Sequence, residues 1–511
     1  QTAFGEWQVT RKSGAQVRVP RRATLNRRIG GLFPTDFDPA RWGIPASMLD
    51  SIDPIAVWNL VSAVDAFVSA GFSPAELLRV VHPATVASTQ GTGFGGMRSM
   101  HKLFVDRFLG EEYPQDILQE TLPNVVAAHT MQSYVGGYGS MINPVGACAT
   151  AAVSIEEGLD KIKAGKADFV VAGAIDDIQV ESIVGFGAMN ATANSNELLA
   201  RGISSRFVSR ANDRRRGGFV EAQGGGTVLL TRGSIALEMG LPVLAVVAHT
   251  QTFSDGAHTS IPAPGLGALA VARGGADSVI ARNLAELGVG IDDVAFVSKH
   301  DTSTNANDPN ESDLHTRVGM ALGRTPGNPL LVISQKTLTG HAKGGACVFQ
   351  VGGIIDVFRT GLIPANVALD CVDDAMEQYG PLVWLRSPLN LSSRGPVRAA
   401  FATSLGFGHV SGFLALVNPA AFEAIVEREA GRERLEAWRA ASDRRLRNGQ
   451  RHIEMGMLGH APLFTSVEGR RLPDDPAAGI AGDAHEVEAA ILLDPNARLG
   501  EDGFYHLPEG K

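Results

Sequence analysis

The sequence predicts an α/β fold whose strands are buried on both faces. Between about residue 51 and residue 418, short apolar runs alternate with helical stretches and glycine-rich turns. That alternation is typical of a sheet covered by helices on both sides. Hydrophobic residues make up 44% of the 511-residue chain, which suffices for a large core in one two-lobed unit or in more than one ordinary domain.

The predicted strands are the apolar runs of this region. In chain order they are Thr85–Ser88, Phe169–Ala172, Thr227–Leu230, Leu244–Ala248, Val294–Val297, Leu330–Ile333 and Phe413–Val417. Helices are predicted between several of them, over Cys148–Ala164 and Gly267–Leu287. The first of these helices has a packed face, because Ala152, Ile155, Leu159 and Ile162 recur at helical spacing.

Composition divides the chain into four segments. Residues 1–50 carry many arginines and little apolar periodicity, which predicts an exposed connecting arm. A division near Met239-Gly240-Leu241-Pro242 separates a first lobe, 51–240, from a second lobe, 241–418. Residues 419–511 predict a peripheral extension, with a solvated helix or two in the Glu- and Arg-rich stretch 421–450 and loops after about residue 455.

Charge, cysteine content and hydropathy exclude several classes of protein. The chain has 45 basic and 54 acidic residues, and this net charge of −9 argues against a general nucleic-acid-binding protein. The 3 cysteines include no CxxC pair, so we expect a reducing, cytoplasmic setting without a disulfide framework. The sequence shows neither a secretory signal nor an apolar run of about 18 residues, which predicts that nothing here spans a membrane.

Cys148 is the candidate nucleophile. It follows Asn143-Pro144-Val145-Gly146-Ala147, where proline and glycine interrupt the chain, and it stands at the start of a predicted helix. The free N–H groups and the positive dipole end of a helix start favour a thiolate and can hold an oxyanion. A small buried structural cysteine is the alternative interpretation of this position.

Two histidines follow predicted strands, where the active sites of α/β proteins gather. His300 comes after Val294–Ser298, and His341 comes after Leu330–Ser334. Lys336 precedes His341 by five residues, and an ammonium beside an imidazole favours the neutral ring, able to donate from Nε2. Either histidine taken alone has an ordinary structural role as its alternative.

Together these motifs resemble the β-ketoacyl synthases of the thiolase superfamily. The matching residues, in order, are Cys148, His-x-Thr-x-Thr at 300–304, Asp308 and Glu311, Lys-x-x-x-x-His at 336–341, and Gly-Phe-Gly at 406–408. The resemblance covers roughly residues 50–418, and the stretches around both histidines are similar to the bacterial or fungal type I fatty acid synthase branch. Three residues depart from the pattern: Asp301 and His409 stand where many relatives have glycine, and Leu405 where many have phenylalanine.

The resemblance implies a thiolase-like, two-lobed, five-layer αβαβα fold and a decarboxylative condensation. In that reaction Cys148 carries the acyl group, and His300 and His341 bind the enolate oxygen of a decarboxylated malonyl thioester. The N–H groups of Cys148 and Phe407 form the oxyanion hole, and the Phe407 ring gates the acyl pocket. Of the remaining residues, Thr302 and Thr304 are expected at the pantetheine arm, and Lys336, Asp308 and Glu311 in a supporting polar shell.

The resemblance also implies partners for this chain. Acyl carrier protein delivers acyl and malonyl thioesters, the other fatty acid synthase domains flank the chain, and a second copy completes a homodimer within a larger assembly. No nucleic acid and no membrane are expected as partners, and no metal or organic cofactor is expected.

Three other functions compete with a ketosynthase. A non-decarboxylating thiolase needs a second reactive cysteine near the chain's end, whereas residues 401–412 contain His409 and no cysteine. A Cys–His hydrolase does not need a second histidine with a lysine five residues before it. A non-catalytic, structural ketosynthase-like domain usually lacks the nucleophile, whereas Cys148 is present.

Two further patterns are given little functional weight. The run Gly91-Thr92-Gly93-Phe94-Gly95-Gly96 formally fits a dinucleotide-binding loop, but Glu111 and Glu112, the acidic residues near the required distance, lie in a turn. A tight turn near the active site is the preferred interpretation. The basic run Arg214–Arg216 is interpreted as a solvated loop, with an acidic partner as the alternative.

Overall fold

The structure is a computed structural model, and it describes residues 12–14, 25–106, 114–256, 265–467 and 484–507. The strands are β1 (Val86–Ser88), β2 (Phe169–Asp176), β3 (Gly224–Thr231), β4 (Val246–Ser254), β5 (Val294–Ser298), β6 (Leu330–Ile333), β7 (Leu362–Ile363), β8 (Leu382–Trp384), β9 (Leu389–Asn390), β10 (Ala399–Gly406), β11 (Val410–Val417), β12 (Arg498–Leu499) and β13 (Tyr505–His506). The α-helices are α1 (Ala46–Ser51), α2 (Pro54–Ser69), α3 (Pro74–Leu78), α4 (Met97–His101), α5 (Ile117–Glu120), α6 (Pro123–Thr130), α7 (Thr150–Lys163), α8 (Val180–Ala188), α9 (Ser195–Ala200), α10 (Gly233–Met239), α11 (Val279–Glu286), α12 (Asn307–Ala321), α13 (Lys336–Thr339), α14 (Ala346–Thr360), α15 (Ala420–Ala430), α16 (Arg432–Met457) and α17 (Ala484–Leu493).

Two sheets form the centre of the described part of the chain. In the first the strand order is β1-β2-β3, with β1 parallel and β3 antiparallel to β2. In the second the order is β4-β11-β10-β5-β6-β8, where β10, β5, β6 and β8 run parallel and β11 is antiparallel to both of its neighbours. The carboxyl ends of β5 and β6 therefore meet at one edge of the second sheet.

Helices cover both faces of both sheets. Helix α2 packs on the outer face of the first sheet, where Phe67 lies 5.8 Å from Phe169 between ring centroids. Helices α7 and α14 lie between the sheets and share a core with Val170 of the first and Ala400 of the second. Helices α11 and α12 cover the far face, in a core that includes Phe401. This helix–sheet–helix–sheet–helix order confirms the predicted five-layer fold.

Burial explains why the strands read as apolar runs in the sequence. Every residue of β2 is buried, as is every residue of β10 except Gly406, so these strands need no alternation of polar and apolar residues. Small residues let α7 approach the first sheet closely. A Cβ on Gly158 would lie 2.8 Å from Leu230 Cδ1, so this central helix has no room for a larger side chain there.

Two predicted helices differ from the observed ones. The helix predicted over Cys148–Ala164 begins with a 3₁₀ turn, Ala147–Ala149, and becomes α-helical at Thr150. The single helix predicted over Gly267–Leu287 is wrong: two 3₁₀ turns, Gly267–Ala272 and Gly275–Asp277, precede α11. The interruption lies at Gly274 and Gly275, whose φ values of +99° and +61° are incompatible with a continuous helix.

The Glu- and Arg-rich stretch forms two helices, α15 and α16, separated at Gly431, where φ is +86°. They are less solvated than their composition suggests. Trp438 is buried and its Nε1–H donates to the Leu241 carbonyl at 3.0 Å. Arg445 donates to the Gly71 carbonyl at 2.9 Å, so α16 is fastened to the first lobe.

Part of the predicted N-terminal arm is attached to the body rather than exposed. Arg27 Nε donates to Thr192 Oγ1 at 3.2 Å, and the Gly31 N–H donates to the Glu221 carbonyl at 3.0 Å. These contacts are long-range, which a segment with little apolar periodicity does not reveal. Arg11, Arg18, Arg21 and Arg22 lie outside the described residues.

In the described part of the chain, no helix combines the length and the apolar character that crossing a bilayer requires.

Candidate active site

Cys148 lies on a sharp turn that leads into α7. Ala147, directly before it, has a φ of +48°, a left-handed conformation that is rare for a residue with a side chain. The turn is held by Thr150 Oγ1, which accepts from the Gly146 N–H at 3.0 Å and donates to the Ala147 carbonyl at 2.7 Å. Ser404 Oγ of β10 donates to the Cys148 carbonyl at 2.9 Å, which ties the turn to the second sheet.

The Cys148 sulfur is a thiol at neutral pH. Burial raises its pKa to about 11, and this effect outweighs the lowering by Lys336, by Lys343 and by a hydrogen bond from the Phe407 N–H. The helix start favours a thiolate, but it does not offset burial, because burial removes the water that stabilises the charge. A proton must leave the sulfur during acyl transfer.

Lys336 contacts both the ring and the backbone carbonyl of His300. The residue follows the end of β5, and its Nδ1 lies 3.2 Å from Lys336 Nζ, which also donates to the His300 carbonyl at 2.5 Å. Burial lowers the pKa of Lys336. As an ammonium Lys336 only donates, in which case Nδ1 accepts and the ring proton resides on Nε2. Sequence spacing paired Lys336 with His341, whereas the direct hydrogen bond goes to His300.

His341 completes a cluster with Cys148. The two imidazole rings are perpendicular, with an interplanar angle of 88° and centroids 5.2 Å apart. Cys148 Sγ and one nitrogen of each histidine all lie within 4.8 Å of one another. His341 is placed by backbone bonds to the strand-like segment 220–222: its N–H donates to the Val220 carbonyl at 2.7 Å, and its carbonyl accepts from Ala222 at 3.0 Å.

Both histidines are neutral at physiological pH. Burial lowers the pKa of His300 and that of His341 well below the usual range, and the positive charge of Lys336 lowers both further. His341 Nδ1 is buried without a hydrogen-bond partner among the described residues, so its tautomer is not set as that of His300 is. Two neutral imidazoles beside a thiol provide N–H donors for a developing oxyanion.

Glu311 and Asp308 support the loop that carries His300. The Glu311 carboxylate accepts from the N–H groups of His300 and Asp301, the latter at 2.9 Å, and from Thr403 Oγ1. Asp308 accepts from the Asn212 N–H at 2.8 Å. Burial raises the pKa of both carboxyl groups, that of Asp308 to about 7, and the charge of Asp301 raises them further.

Thr302 and Thr304 lie in the same loop as His300. Their hydroxyl oxygens are 3.1 Å apart, and Thr304 Oγ1 also accepts from the Asn307 N–H at 3.1 Å. Thr302 is buried and Thr304 half-buried. Both threonines are within four residues of His300 in the chain. Their contact with a pantetheine arm stays a prediction.

The backbone of Phe407 contacts the nucleophile, and its ring packs against an aromatic cluster. Its N–H donates to the Cys148 sulfur. Its half-buried ring lies 5.7 Å from Phe186 between centroids, Phe186 lies 5.3 Å from Phe219, and Phe219 lies 5.0 Å from His341. An apolar wall therefore runs from Phe407 to the second histidine.

Gly406 is where β10 passes the nucleophile turn, and we expect Gly406→Ala to inactivate Cys148. A Cβ at this position would lie 2.3 Å from the Gly146 carbonyl oxygen and 3.3 Å from the Cys148 nitrogen, so the turn must shift. The measurement is the rate of Cys148 acylation, with Gly352→Ala as the control, because Gly352 on α14 has nothing within 4 Å of its Cβ position. Unchanged acylation in Gly406→Ala would show that the turn adapts without loss.

Several polar residues of the site escaped the sequence reasoning. Lys299 is fully buried and paired with Asp301 at 2.8 Å. Lys343 is buried, donates to the Asp177 carbonyl at 2.8 Å and faces Glu221 at 3.4 Å. Position within the His300 and His341 motifs was the available signal for these lysines, but lysine is normally a surface residue.

The glycine-rich run after β1 is bound to a carboxylate of the protein itself. The N–H groups of Gly93 and Phe94 and the Thr92 hydroxyl donate to Asp176, at 2.8–3.3 Å. A Cβ on Gly93 would lie 2.8 Å from the same carboxylate. These N–H groups are therefore occupied, which agrees with the interpretation as a tight turn.

The basic run Arg214–Arg216 is paired within the chain: Arg214 is exposed and Arg215 half-buried, as the interpretation as a solvated loop expects, whereas Arg216 is buried, which that interpretation missed. Arg214 pairs with Asp374 at 2.9 Å, and Arg216 is buried and pairs with Asp373 at 2.6 Å. Arg215 contacts Asp370. The run clamps residues 210–216 onto residues 370–374.

The cysteine and the two histidines also form a set of donors that Zn²⁺ accepts. Lys336 opposes such binding, because it keeps the proton of His300 on Nε2, the nitrogen not bonded to Lys336, and adds a positive charge beside the cluster. The expectation of a reaction without a metal stays a prediction.

Two family models cover most of the chain. The model for the N-terminal domain of β-ketoacyl synthase matches residues 3–236, and the model for the C-terminal domain of β-ketoacyl synthase matches residues 244–370. The chain belongs to the β-ketoacyl synthase family. It is therefore a condensing enzyme of the acyltransferase type, with a ketosynthase fold. The exact boundaries predicted for the arm, the lobes and the extension stay predictions.

Curated relatives of this ketosynthase are fatty acid synthase subunits. It is 33% identical over 571 residues to the fatty acid synthase alpha subunit pigJ of Monascus ruber, covering 97% of this chain and 30% of the relative. It is 36% identical over 489 residues to the fatty acid synthase alpha subunit stcJ of Emericella nidulans, covering 95% of this chain and 30% of the relative. The chain thus spans less than a third of the length of these relatives.

A solved structure supports the fold of the ketosynthase. The crystal structure of the noncanonical ketosynthase FabY from P. aeruginosa superposes with a TM-score of 0.77 at 24% sequence identity, covering 85% of this chain and 67% of that one. At this identity the likeness shows the shared fold.

Two of the departures from the family pattern occupy left-handed backbone. Asp301 has a φ of +39° and His409 a φ of +64°, where many relatives have glycine. A residue with a Cβ is strained in this region, and local hydrogen bonding stabilises Asp there better than most residues. Leu405, the third departure, is a buried residue of β10.

Proposed function

We propose that this ketosynthase extends fatty acyl chains by decarboxylative Claisen condensation of an acyl-cysteine with malonyl carrier protein. The observation that carries the proposal is the cluster of the Cys148 thiol and two neutral imidazoles, whose donor atoms lie within 4.8 Å of one another. A Cys–His hydrolase needs one imidazole as a base, whereas two neutral imidazoles can donate two N–H hydrogen bonds to an enolate oxygen.

In the first half-reaction Cys148 takes the acyl group. The sulfur attacks the carbonyl carbon of an acyl thioester, the carrier's thiolate leaves, and the proton of Cys148 goes to that thiolate. The oxyanion that forms is held by backbone N–H groups of Cys148 and Phe407. Because burial raises the pKa of Cys148 to about 11, the resting thiol has to lose its proton in this half-reaction.

In the second half-reaction a malonyl thioester loses CO₂. The electron pair of the breaking C–C bond becomes an enolate, whose oxygen accepts hydrogen bonds from His300 Nε2–H and from His341. The enolate carbon attacks the acyl-Cys148 carbonyl, a C–C bond forms and the C–S bond to Cys148 breaks. The departing Cys148 thiolate takes a proton from solvent. Lys336 Nζ lies 3.2 Å from His300 Nδ1, and this contact keeps the ring proton on the other nitrogen, Nε2, which can then donate.

The direct test is product analysis with acyl and malonyl carrier proteins as substrates. Mass analysis should show a β-ketoacyl product two carbons longer than the acyl substrate, with one CO₂ released per product. A condensation product formed without CO₂ release would favour the thiolase alternative. No product and no labelling of Cys148 by a ketosynthase-directed epoxide would favour a non-catalytic domain.

Phe407 is proposed as a gate, and Phe407→Ala is expected to uncouple the two half-reactions. With Gly406 and Gly408 on either side and a half-buried ring, Phe407 can move aside when Cys148 is acylated. The variant should keep most of its melting temperature and release CO₂ from malonyl carrier protein without a loaded acyl chain. If Phe407 is instead a core residue, the variant should lose roughly 3–5 kcal/mol of stability, melt early and lose all activities together. Structures with and without an acyl chain that show an unmoved ring would contradict the gate.

The partners follow from the substrates and the relatives. Acyl carrier protein is required to deliver both thioesters, and the other domains of a fatty acid synthase are proposed to flank this chain. A second copy is proposed at the outer edge of the first sheet, where Met141 bridges to Ser88 of β1 and is 46% exposed. Exposed apolar side chains beside a sheet edge are typical of a surface covered in an assembly.

We place the enzyme in the cytoplasm and propose that it needs no metal or organic cofactor. All three cysteines are free, and Cys371 is exposed, which is typical of a reducing compartment. The proposed chemistry uses the thiol, the imidazole N–H groups and the carrier-bound substrates alone. Activity that persists after treatment with a chelator is the expected result.

A further inference from the structure

Lys299 and Asp301 flank His300 in sequence, and their side chains meet. Lys299 Nζ lies 2.8 Å from Asp301 Oδ1, and both side chains are fully buried. Asn212 closes a ring between them: its Oδ1 accepts from Lys299 at 3.0 Å, and its Nδ2–H donates to Asp301 Oδ2 at 2.8 Å. Ser334, at the end of β6, donates to the same Asp301 oxygen at 2.6 Å.

This ring has features that a stabilising ion pair alone does not need. A buried pair is seldom favourable in free energy over apolar packing, because desolvation of both charges offsets their attraction. Asp301 also holds a left-handed backbone, with a φ of +39°, which is strained for a residue with a Cβ. Both costs are concentrated on the residues adjacent to His300.

The contacts around His300 show which part of the chain is held in place by the hydrogen-bonded ring of Lys299, Asp301 and Asn212. The peptide N–H groups of His300 and Asp301 both donate to Glu311, and the His300 carbonyl accepts from Lys336 at 2.5 Å. Lys299 adds a donor to Ser312 Oγ at 2.9 Å, on α12, the helix that also carries Glu311. The backbone on both sides of His300 is therefore fixed to β6 and to α12 at the same time.

The charges of this region are coupled to one another. Burial lowers the pKa of Lys299, but the three carboxylates Asp301, Glu311 and Asp308 outweigh burial and raise it. Lys299 is thus a stable cation within a cluster of carboxylates. Removing Lys299 would leave Asp301 without its counter-charge and free the loop that carries His300.

We propose that Lys299 and Asp301 act together as a brace that sets the orientation of His300, and that both are positioning residues for the release of CO₂. The inference rests on the proposed function in one respect, that His300 serves the malonyl half-reaction. The turn that carries Cys148 is held by hydrogen bonds of Thr150 and Ser404 that involve neither Lys299 nor Asp301. Acyl transfer to Cys148 therefore does not depend on the brace.

The test uses Lys299→Met, Asp301→Gly and the double variant Lys299→Met/Asp301→Gly. Each single variant should release CO₂ about 10²-fold more slowly, since small displacements of a catalytic group have effects of this size. Acylation of Cys148 should stay near the wild-type rate. The double variant removes both charges and relieves the backbone, so it should recover about tenfold over Lys299→Met.

Lys161→Met is the matched control. Lys161 is also a buried lysine, near the end of α7, and its ion pair with Glu157 is long, at 4.0 Å. It should lower the melting temperature without separating the two half-reactions. A parallel fall of both half-reactions and of the melting temperature in every brace variant would mean a structural role only, and would overturn the proposal.

A crystal structure of Lys299→Met separates this inference from the proposed function. We expect the His300 ring to turn away from its perpendicular arrangement with His341. An unmoved His300 would overturn the brace whatever the activity shows. If the wild-type protein released no CO₂ while His300 moved in the variant, the proposed function would fail and the brace would stand.

Discussion

Cys148→Ala is expected to abolish condensation and to leave the fold intact. The thiol is the nucleophile on the strained turn before α7, and no other group takes its place beside the two histidines in the described part of the chain. Loss of the nucleophile should lower condensation by at least about 10⁴-fold. One sulfur is a small packing loss, about 1 kcal/mol on the scale of a buried methylene, so the melting temperature should change little.

The control for this variant is Cys347→Ala. Cys347 is fully buried at the start of α14, and burial raises its pKa to about 12, so it matches Cys148 in burial and in chemistry. Cys347→Ala should show a similar small loss of stability and should still take an acyl group on Cys148. Mass analysis of the acylated protein decides the assignment. An acyl adduct on Cys347 or on the exposed Cys371 would show that Cys148 is not the carrier.

Loss of either histidine is expected to stop the malonyl half-reaction while acyl transfer continues. In His300→Ala or His341→Ala the enolate oxygen loses one of two N–H donors, and a missing donor of this kind costs about 10²–10³-fold in rate. The two half-reactions are measured separately, as CO₂ release from malonyl carrier protein and as transfer of an acyl group to Cys148. Neither histidine bonds the Cys148 turn, so acyl transfer should be retained.

His249→Ala is the control for the histidine variants. His249 lies on β4, and burial lowers its pKa to about 4, so it is a buried, neutral imidazole like the other two. Its charged neighbour is Lys163, at the opposite end of α7 from Cys148. It should change stability without affecting either half-reaction selectively. Retained CO₂ release combined with lost acyl loading in His300→Ala or His341→Ala would reverse the proposed roles.

Both half-reactions are proposed to take place at one cluster, which explains why its thiol and its two imidazoles are uncharged at rest. The site contains three buried lysines, Lys299, Lys336 and Lys343, yet the groups that meet the substrate are uncharged at rest. Burial raises the pKa of the Cys148 thiol and lowers those of His300 and His341. A neutral cluster accepts an anion that develops during the reaction without first having to lose a bound counter-ion.

The sequence by itself predicted most of the strand pattern, though not β8 or β10, and it pointed to the residues that the structure gathers into one cluster. Buried parallel strands need continuous apolar runs, so β2, β5 and β6 were visible without knowledge of their neighbours, and Leu330–Ile333 was predicted with its observed bounds. The order of Cys148, His300, Lys336 and His341 was likewise visible, because each lies at a chain break or a strand end. These signals are local, and local signals survive in a single sequence.

The tertiary structure decided what each group does beside its neighbours. The thiol form of Cys148, the bond from Lys336 to His300, the pairing of Arg214 and Arg216 with aspartates and the ring around Lys299 all depend on residues distant in the chain. Burial sets the free energy of a charge, and hydrogen-bond partners set the tautomer of an imidazole. Both quantities come from long-range packing, which residue spacing along one chain does not determine.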